Sequence, residues 1–293
     1  LNLCPNYIVA NDNATLPLQE KEQQVTDIDP ANLIHTRIWQ EEAEPDNPFA
    51  TRAAYCRGYD VFGEMVGNAR WVEMLYLLLR DELPGAAALD MLEALAVALA
   101  NPGPRDPSVH AAMCGGVAGS SAAASLIAAL GVGAGRYRGS RDVFDAMVAW
   151  NACGTDIDAW GRYLHSGTEE PIDIWPHREH PPGFDPHGVS TSGIVRQLLV
   201  ALVKVGASPR LSWLAQHWPE MEGAAGMPLE MTGVAAAAFA DLGFAPEEGE
   251  MLYLLLRLPG AAAHALEQGR NGFKRFPFYP VELQDDPANK EGA

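Results

Sequence analysis

The sequence is short of the features that mark several common classes of protein. Four cysteines, Cys4, Cys56, Cys114 and Cys153, are scattered without a CxxC pair or a spacing that would join them to histidines, so neither a zinc motif nor a disulfide framework is expected. They read as reduced thiols. No uninterrupted apolar run reaches the length of a membrane span, and the first residues carry no basic segment ahead of an apolar one, so a cytoplasmic protein is expected. Positive charge is scarce: 20 Lys and Arg face 38 Asp and Glu, a formal charge of −18. A polyanion such as a nucleic acid needs a basic face that releases counterions, and this chain has none to spare. A small anion needs only a few arginines, and Arg136, Arg138 and Arg141 fall close together. A solvated basic patch accounts for them equally well.

What the sequence does have is helical periodicity. With 293 residues and 48% hydrophobic content, it can bury a large core. The polar stretch 1–46, rich in Glu, Gln and Asn, suits a loosely ordered arm, with the folded part at 47–293. From Trp71 to Arg80 the apolar residues Val72, Leu75, Tyr76 and Leu79 recur at helical spacing, and Asp81 to Gly85 ends the pattern. A second helix starting at Ala86 presents Leu89, Leu92, Leu95, Ala96 and Leu99 before Asn101-Pro102-Gly103-Pro104 breaks it. Further helical patterns span 108–131, 141–152, 190–205, 232–243 and 247–268. Alternating strand patterns are almost absent, which gives an all-α expectation. Segments 117–131 and 233–243 are crowded with Ala, Gly and Ser, a composition that lets backbones approach closely in a core or at a subunit interface.

A proline-rich loop, 171–187, interrupts the second half and holds His177, His180 and His187 with Trp175, Arg178 and Asp185. Loops on rigid scaffolds often carry chemistry. The histidines also invite a metal reading, but Pro176, Pro181, Pro182 and Pro186 impose an extended path without metal-motif spacing, and no metal is expected.

The order of these segments resembles the citrate synthase superfamily, and within it the citryl-CoA lyases and the lyase module of ATP-citrate lyase. The resemblance covers roughly 52–280. It rests on Arg57-Gly58-Tyr59-Asp60, Tyr76-Leu77-Leu78-Leu79 and Glu82-Leu83-Pro84; on Asn101 to Pro104 leading to Ser108-Val109-His110; on the turn Gly135-Arg136-Tyr137-Arg138-Gly139-Ser140; on Pro176-His177-Arg178 through Asp185-Pro186; and on Thr232-Gly233, Asp241-Leu242-Gly243-Phe244, Arg257-Leu258-Pro259-Gly260 and His264-Ala265-Leu266-Glu267. It implies an all-helical fold with a large and a small subdomain, the small, CoA-side one approximately within 155–232. It also implies a homodimer packed through the Ala/Gly-rich helices.

The implied chemistry makes or breaks a carbon–carbon bond beside a CoA thioester, joining an acyl-CoA to a 2-oxo acid or cleaving a citryl-CoA-type adduct. Coenzyme A thioester enters as co-substrate and a di- or tricarboxylate as its partner. Such a reaction needs a carboxylate base and donors to the oxygens that gain charge. The family's aspartate position holds Thr232, a hydroxyl too weakly basic for the task. Glu230 lies two residues away and could stand in for that aspartate, but two residues along a turn usually point a side chain elsewhere, and the favoured reading is a solvated surface residue. Pro102 replaces the first substrate-loop histidine. Arg138 stands where the glycine-rich turn carries a histidine; it can pair with a carboxylate but cannot deliver and recover a proton.

His177 is implied as a donor to the substrate's keto or hydroxyl oxygen, with His180 as an alternative register and a backbone-satisfied loop histidine as the competing account. Arg178, His110 and Arg257 are implied substrate contacts. An internal salt bridge is the rival role for Arg257, and a structural hydrogen bond the rival role for His110. Arg270, Lys274 and Arg275 are implied near CoA, or form a solvated basic tail. With Thr232, Pro102 and Arg138 all substituted, the alternative is a non-catalytic relative serving as a binding or regulatory subunit.

Overall fold

The computed structural model describes residues 35–165, 180–206 and 208–282. The chain divides into two compact units, up to Leu83 and from Pro84 onward.

The first unit corrects the all-α expectation. It opens with a three-stranded antiparallel sheet of β1 (Trp39–Glu44), β2 (Asn47–Cys56) and β3 (Tyr59–Asp60). β1 falls inside the segment read as an arm. The register runs from Trp39 opposite Cys56 to Glu44 opposite Asn47 and shifts around Ala43. Such an irregularity obscures the two-residue alternation that betrays a strand in sequence. Between β2 and β3 the chain reverses through Arg57, at φ 52°, and Gly58, at φ 88°. A single π-helical turn, Val61–Met65, leads to helix α1 (Trp71–Leu79), which buries Val72, Leu75, Tyr76 and Leu77.

The second unit is helical among its described residues. In order it contains α2 (Ala86–Leu99), α3 (Pro107–Val117), α4 (Ala122–Gly133), α5 (Ser140–Cys153), α6 (Ile157–His165), α7 (Gly193–Val205), α8 (Pro209–Ala225), α9 (Met231–Asp241) and α10 (Pro246–Asn271). The pattern read as one helix over 108–131 is two. Gly119 takes φ 72°, and Ser121 caps the new helix by accepting from the Ala124 N–H at 3.2 Å, so the chain turns and restarts. The 26-residue α10 packs on α3, α4 and α5, while α9 packs on α5 and α8.

Small residues set these distances. A Cβ at Gly116 of α3 would come within 2.1 Å of the Ala265 carbonyl oxygen of α10, so these backbones touch. Val109, Ala112, Ala129, Ala261 and Ala265 fill the contact. In α9 every residue from Thr232 to Ala240 is buried, as its alanine run predicts. Pro259 lies inside α10 and has no N–H to give. The following Gly260 N–H donates to the Ala100 carbonyl at 2.7 Å, fastening the end of α2 to the middle of α10.

Candidate active site

Three helix N-termini face one cleft of about 300 Å³, a size at the lower end of small-molecule sites. Its lining includes Asp106 at the start of α3, Ser192 and Val195 at the start of α7, and Glu230 and Met231 at the start of α9, with Arg105, Arg138, Asp185, Tyr253 and Arg257 around them. Unpaired N–H groups at helix starts favour anions.

Each charged group reaches the cleft for a local reason. Asp106-Pro107 is a helix start: the Asp106 Oδ1 accepts from the Ser108 N–H at 3.0 Å, with Pro107 in the first turn. The other oxygen of Asp106 accepts from Nη2 of Arg257 on α10. Arg257 is 6% exposed, and its Nη1 donates to the Arg138 carbonyl at 3.0 Å. The partner that the apolar setting of Arg257 demanded is therefore internal, and the salt-bridge account holds for it.

Arg138 has φ 57°, an uncommon conformation for a residue with a side chain. The bonds to its carbonyl from Arg257 and, at 3.5 Å, from the Tyr253 hydroxyl brace that backbone. Its Nη2 donates to Asp185 Oδ2 at 2.6 Å and lies 3.5 Å from Glu230 Oε2. Burial opposes the charge of Arg138, but Glu230, Asp185 and Asp106 together raise its pKa further. Arg136, Arg138 and Arg141 do not form one patch: Arg136 is buried, and Arg141 lies 3.5 Å from Asp145 and over the Phe144 ring.

Asp185 and Glu230 arrive on two strips of chain zipped side by side. The Asp185 N–H donates to the Pro228 carbonyl at 2.9 Å and the Glu230 N–H to the Gly183 carbonyl at 3.0 Å, around a bridge between Phe184 and Leu229. Gly183 is required there, since it takes φ 84° and a Cβ would meet Gly233 Cα at 2.8 Å. Two carboxylates, buried Asp142 and part-buried Glu222, hold the zip from behind. Asp142 accepts from the Gly183 N–H at 3.2 Å and from the Thr232 hydroxyl at 2.5 Å. Glu222 accepts from the Leu229 N–H at 2.8 Å and from the Thr191 hydroxyl.

The two carboxylates titrate apart. Burial pushes Asp185 up, but the His187 N–H and Arg138 outweigh it and hold its carboxyl below the ordinary value. Burial pushes Glu230 up, and neither the Arg138 charge nor the Met231 N–H brings it back, so its carboxyl stays above the ordinary value. Its side chain is 16% exposed, which overturns the reading of Glu230 as a solvated surface residue. Two nearby acids pushed in opposite directions are a recurrent active-site arrangement. Burial also drives the Tyr253 hydroxyl well above its usual range, so it stays a neutral donor.

The other residues singled out in the sequence scatter. Thr232 is fully buried, bonded to Asp142, and does not line the cleft. Pro102 does line it. His110 lies outside the lining, with its ring centroid 5.5 Å from that of Phe276. Arg270, Lys274 and Arg275, at the end of α10 and in the 3₁₀ turn after it, are exposed. His177 and Arg178 lie outside the described residues. His180 is buried, with Nδ1 2.9 Å from the Pro181 carbonyl and its ring against Tyr137. Asp106 had a sequence signal, the Asp-Pro helix start; Asp185 and Glu230 reach the cleft by long-range pairing. Among the described residues no three His, Cys, Asp or Glu side chains gather as a metal cluster, and no helix is long and apolar enough to cross a membrane.

No protein-family model and no curated protein sequence matches the chain. Solved structures do. Citryl-CoA lyase from Hydrogenobacter thermophilus superposes with a TM-score of 0.65 at 20% identity, over 88% of this chain and 99% of that one. ATP citrate lyase from Methanothrix soehngenii, solved with citrate and coenzyme A, gives 0.67 at 18% identity over 93% of this chain. An aspartate-to-alanine variant of Methanosaeta concilii ATP citrate lyase, solved with (3S)-citryl-CoA, gives 0.66 at 18% identity over 92%. The chain spans about half the length of these two ATP citrate lyases, 46% and 45%. These superpositions show that the chain has the largely helical fold of citryl-CoA lyase and ATP citrate lyase, the citrate synthase fold.

Proposed function

We propose that the chain acts on CoA thioesters, either condensing an acyl-CoA with a 2-oxo acid or cleaving a citryl-CoA-type adduct. The observation that carries this reading is the cleft: three helix N-termini and three arginines surround a space suited to a small polycarboxylate. The likeness to proteins solved with citrate, coenzyme A and citryl-CoA supports the same ligand class. Arg105 is exposed and has no ion pair within the described residues, which suits it to meet an incoming carboxylate. Arg138 and Arg257 orient the groups around it. Arg270, Lys274 and Arg275 are the proposed contacts for the CoA phosphates, and His177 and Arg178 for the acid. The protein works as a cytoplasmic homodimer, with the exposed Ala122, Ala123, Ile127 and Val132 of α4 as the apolar face available for close packing.

The test is turnover: acetyl-CoA and propionyl-CoA with a panel of 2-oxo acids in one direction, citryl-CoA in the other, reading thiol release and adduct formation. Product from any pair, lost on charge reversal at Arg105, is the expected result. Absence of turnover with every pair sinks the reading.

One observation favours a second reading, a non-catalytic relative that serves as a binding or regulatory subunit. Arg138 and Arg257 are already neutralised by Asp185 and Asp106, and the residue at the family's aspartate position is turned into the core. Calorimetry with citrate and coenzyme A separates the two: a subunit of this kind binds weakly or not at all, and releases no thiol.

A further inference from the structure

Three carboxylates line the cleft, Asp106, Asp185 and Glu230, and a proton acceptor in carbon-acid chemistry has to be one whose lone pairs are not already committed. Asp106 fails: one oxygen caps α3 and accepts the Ser108 hydroxyl, and the other is taken by buried Arg257. Asp185 fails: Oδ2 is hydrogen-bonded by Arg138 at 2.6 Å, and Oδ1 accepts from the His187 N–H at 2.9 Å. Asp142, behind the cleft, is enclosed by Thr232 and the Gly183 N–H and is absent from the lining. Thr232 gives its own proton to Asp142 and faces away.

Glu230 differs from all of these. It sits at the N-cap of α9 without a side-chain cap bond, and among the described residues the Met231 N–H is the one backbone donor that acts on its carboxylate. Arg138 stands 3.5 Å from its Oε2, near enough to stabilise charge and too far for a strong hydrogen bond. The zip of Gly183 and Asp185 against Pro228 and Glu230 fixes the backbone from which it projects.

We propose that Glu230 is the catalytic base of this cleft, the carboxylate that accepts and returns the α-proton of the acyl thioester. The assignment rests on the function proposed above and names the residue that performs its proton step. The α C–H bond of the thioester breaks, the proton passes to Glu230, and the bonding pair moves into the thioester carbonyl as an enolate. In condensation the enolate carbon then attacks the keto carbon of the 2-oxo acid, whose oxygen takes up a proton from water, and the hydroxide left behind takes the proton from Glu230 and restores its carboxylate. In cleavage the adduct's hydroxyl gives its proton to water as the carbon–carbon bond opens to the 2-oxo acid and the same enolate, and Glu230, protonated from solvent, gives its proton to the enolate carbon. Arg138 is the positioning residue: it holds Asp185 outright and lends Glu230 part of its charge.

The experiment is exchange of the α-protons of acetyl-CoA for deuterium in heavy water, followed by mass spectrometry, alongside formation of the carbon–carbon adduct with a 2-oxo acid across a pH series. In the native protein both rates rise with pH through a single limb lying above the ordinary range of a glutamate. Glu230→Gln lowers both by 100-fold or more, and Glu230→Asp keeps a measurable fraction. Arg138→Gln moves the limb to higher pH, because it removes the positive charge that favours ionised Glu230; a merely structural contact would leave the limb in place. If the native protein exchanges or turns over and folded Glu230→Gln matches it, the assignment is overturned and the function stands. If the native protein does neither with any substrate, both fall.

Discussion

The starts of α3 and α9 are made of the same parts and satisfied differently. Each presents an acidic residue at its N-cap, and each faces an arginine across the cleft. At α3 the pairing is closed: Asp106 caps its helix, and Arg257, itself buried, takes the remaining oxygen. At α9 the pairing is open: Glu230 caps nothing with its side chain, and Arg138, whose side chain is 54% exposed, spends its hydrogen bond on Asp185. One end is a structural joint in which each charge has its partner. The other keeps a part-buried carboxylate whose burial outweighs the Met231 N–H and the Arg138 charge, an arrangement that costs stability and supplies basicity.

That contrast predicts a large cost at the closed end. Arg257→Gln leaves the Asp106 carboxylate facing the cleft without its counter-charge and removes the donor that braces Arg138. Breaking a buried pair from one side costs about 3–5 kcal/mol, so the thermal midpoint should fall by roughly 10 °C. Arg138→Gln, at the more exposed pair, should cost no more than about 1 kcal/mol. Thermal unfolding of the two variants side by side checks this, and equal losses would erase the distinction between the ends.

The next effect is smaller and lies behind the open end. Thr232→Val keeps the shape of the side chain and removes the hydroxyl that donates to buried Asp142. Leaving a buried acceptor short of a donor costs about 1–3 kcal/mol, visible as a lower denaturant midpoint at unchanged slope. Because Thr232 supports the turn without lining the cleft, the pH limb of activity should stay where it was. A moved limb would mean that the threonine takes part in the proton step after all.

The sequence was informative where a residue's environment is set by its neighbours in the chain. The helices expected from Ala86 and over 141–152, 190–205, 232–243 and 247–268 follow from apolar spacing and match α2, α5, α7, α9 and α10, and the burial of α9 follows from its small-residue composition, whereas α6 and α8 lie outside every expected helix. The break between α3 and α4 was also present, as Gly119 followed by Ser121, but the shared apolar character of both helices hid it. The sheet was missed because β2 alternates poorly and bends at a register shift. In the site the limits were directional. Arg257 on an apolar stretch had to have an anionic partner, and local spacing could not say that the partner was Asp106. Glu230 sits two residues before Thr232, and its direction is decided by the Phe184–Leu229 bridge to a distant loop.

The smallest effect is also the one that separates the two ends by sign. For Glu230 the folded state holds the proton more tightly than the unfolded chain does, because burial raises its pKa. Between the unfolded value and the raised folded one, the folded protein binds more protons, so this group's contribution to stability falls as pH rises through that window. Above the window the penalty is constant. Asp185 has the opposite sign: its folded value is lowered, so its contribution is present above the ordinary aspartate range and is lost as pH falls through the folded value. Glu230→Gln removes the penalty, and at neutral pH the variant should be more stable than the native protein by about 1 kcal/mol, a rise of roughly 2–4 °C in thermal midpoint. Asp185→Asn should lose stability at the same pH. Melting curves collected from acid to neutral pH test both, with the native-minus-variant difference for Glu230→Gln growing across the mildly acidic window and then levelling. A Glu230→Gln variant that melts below the native protein at neutral pH would show that Arg138 holds Glu230 as firmly as Arg257 holds Asp106, and the two helix starts would then be the same joint built twice.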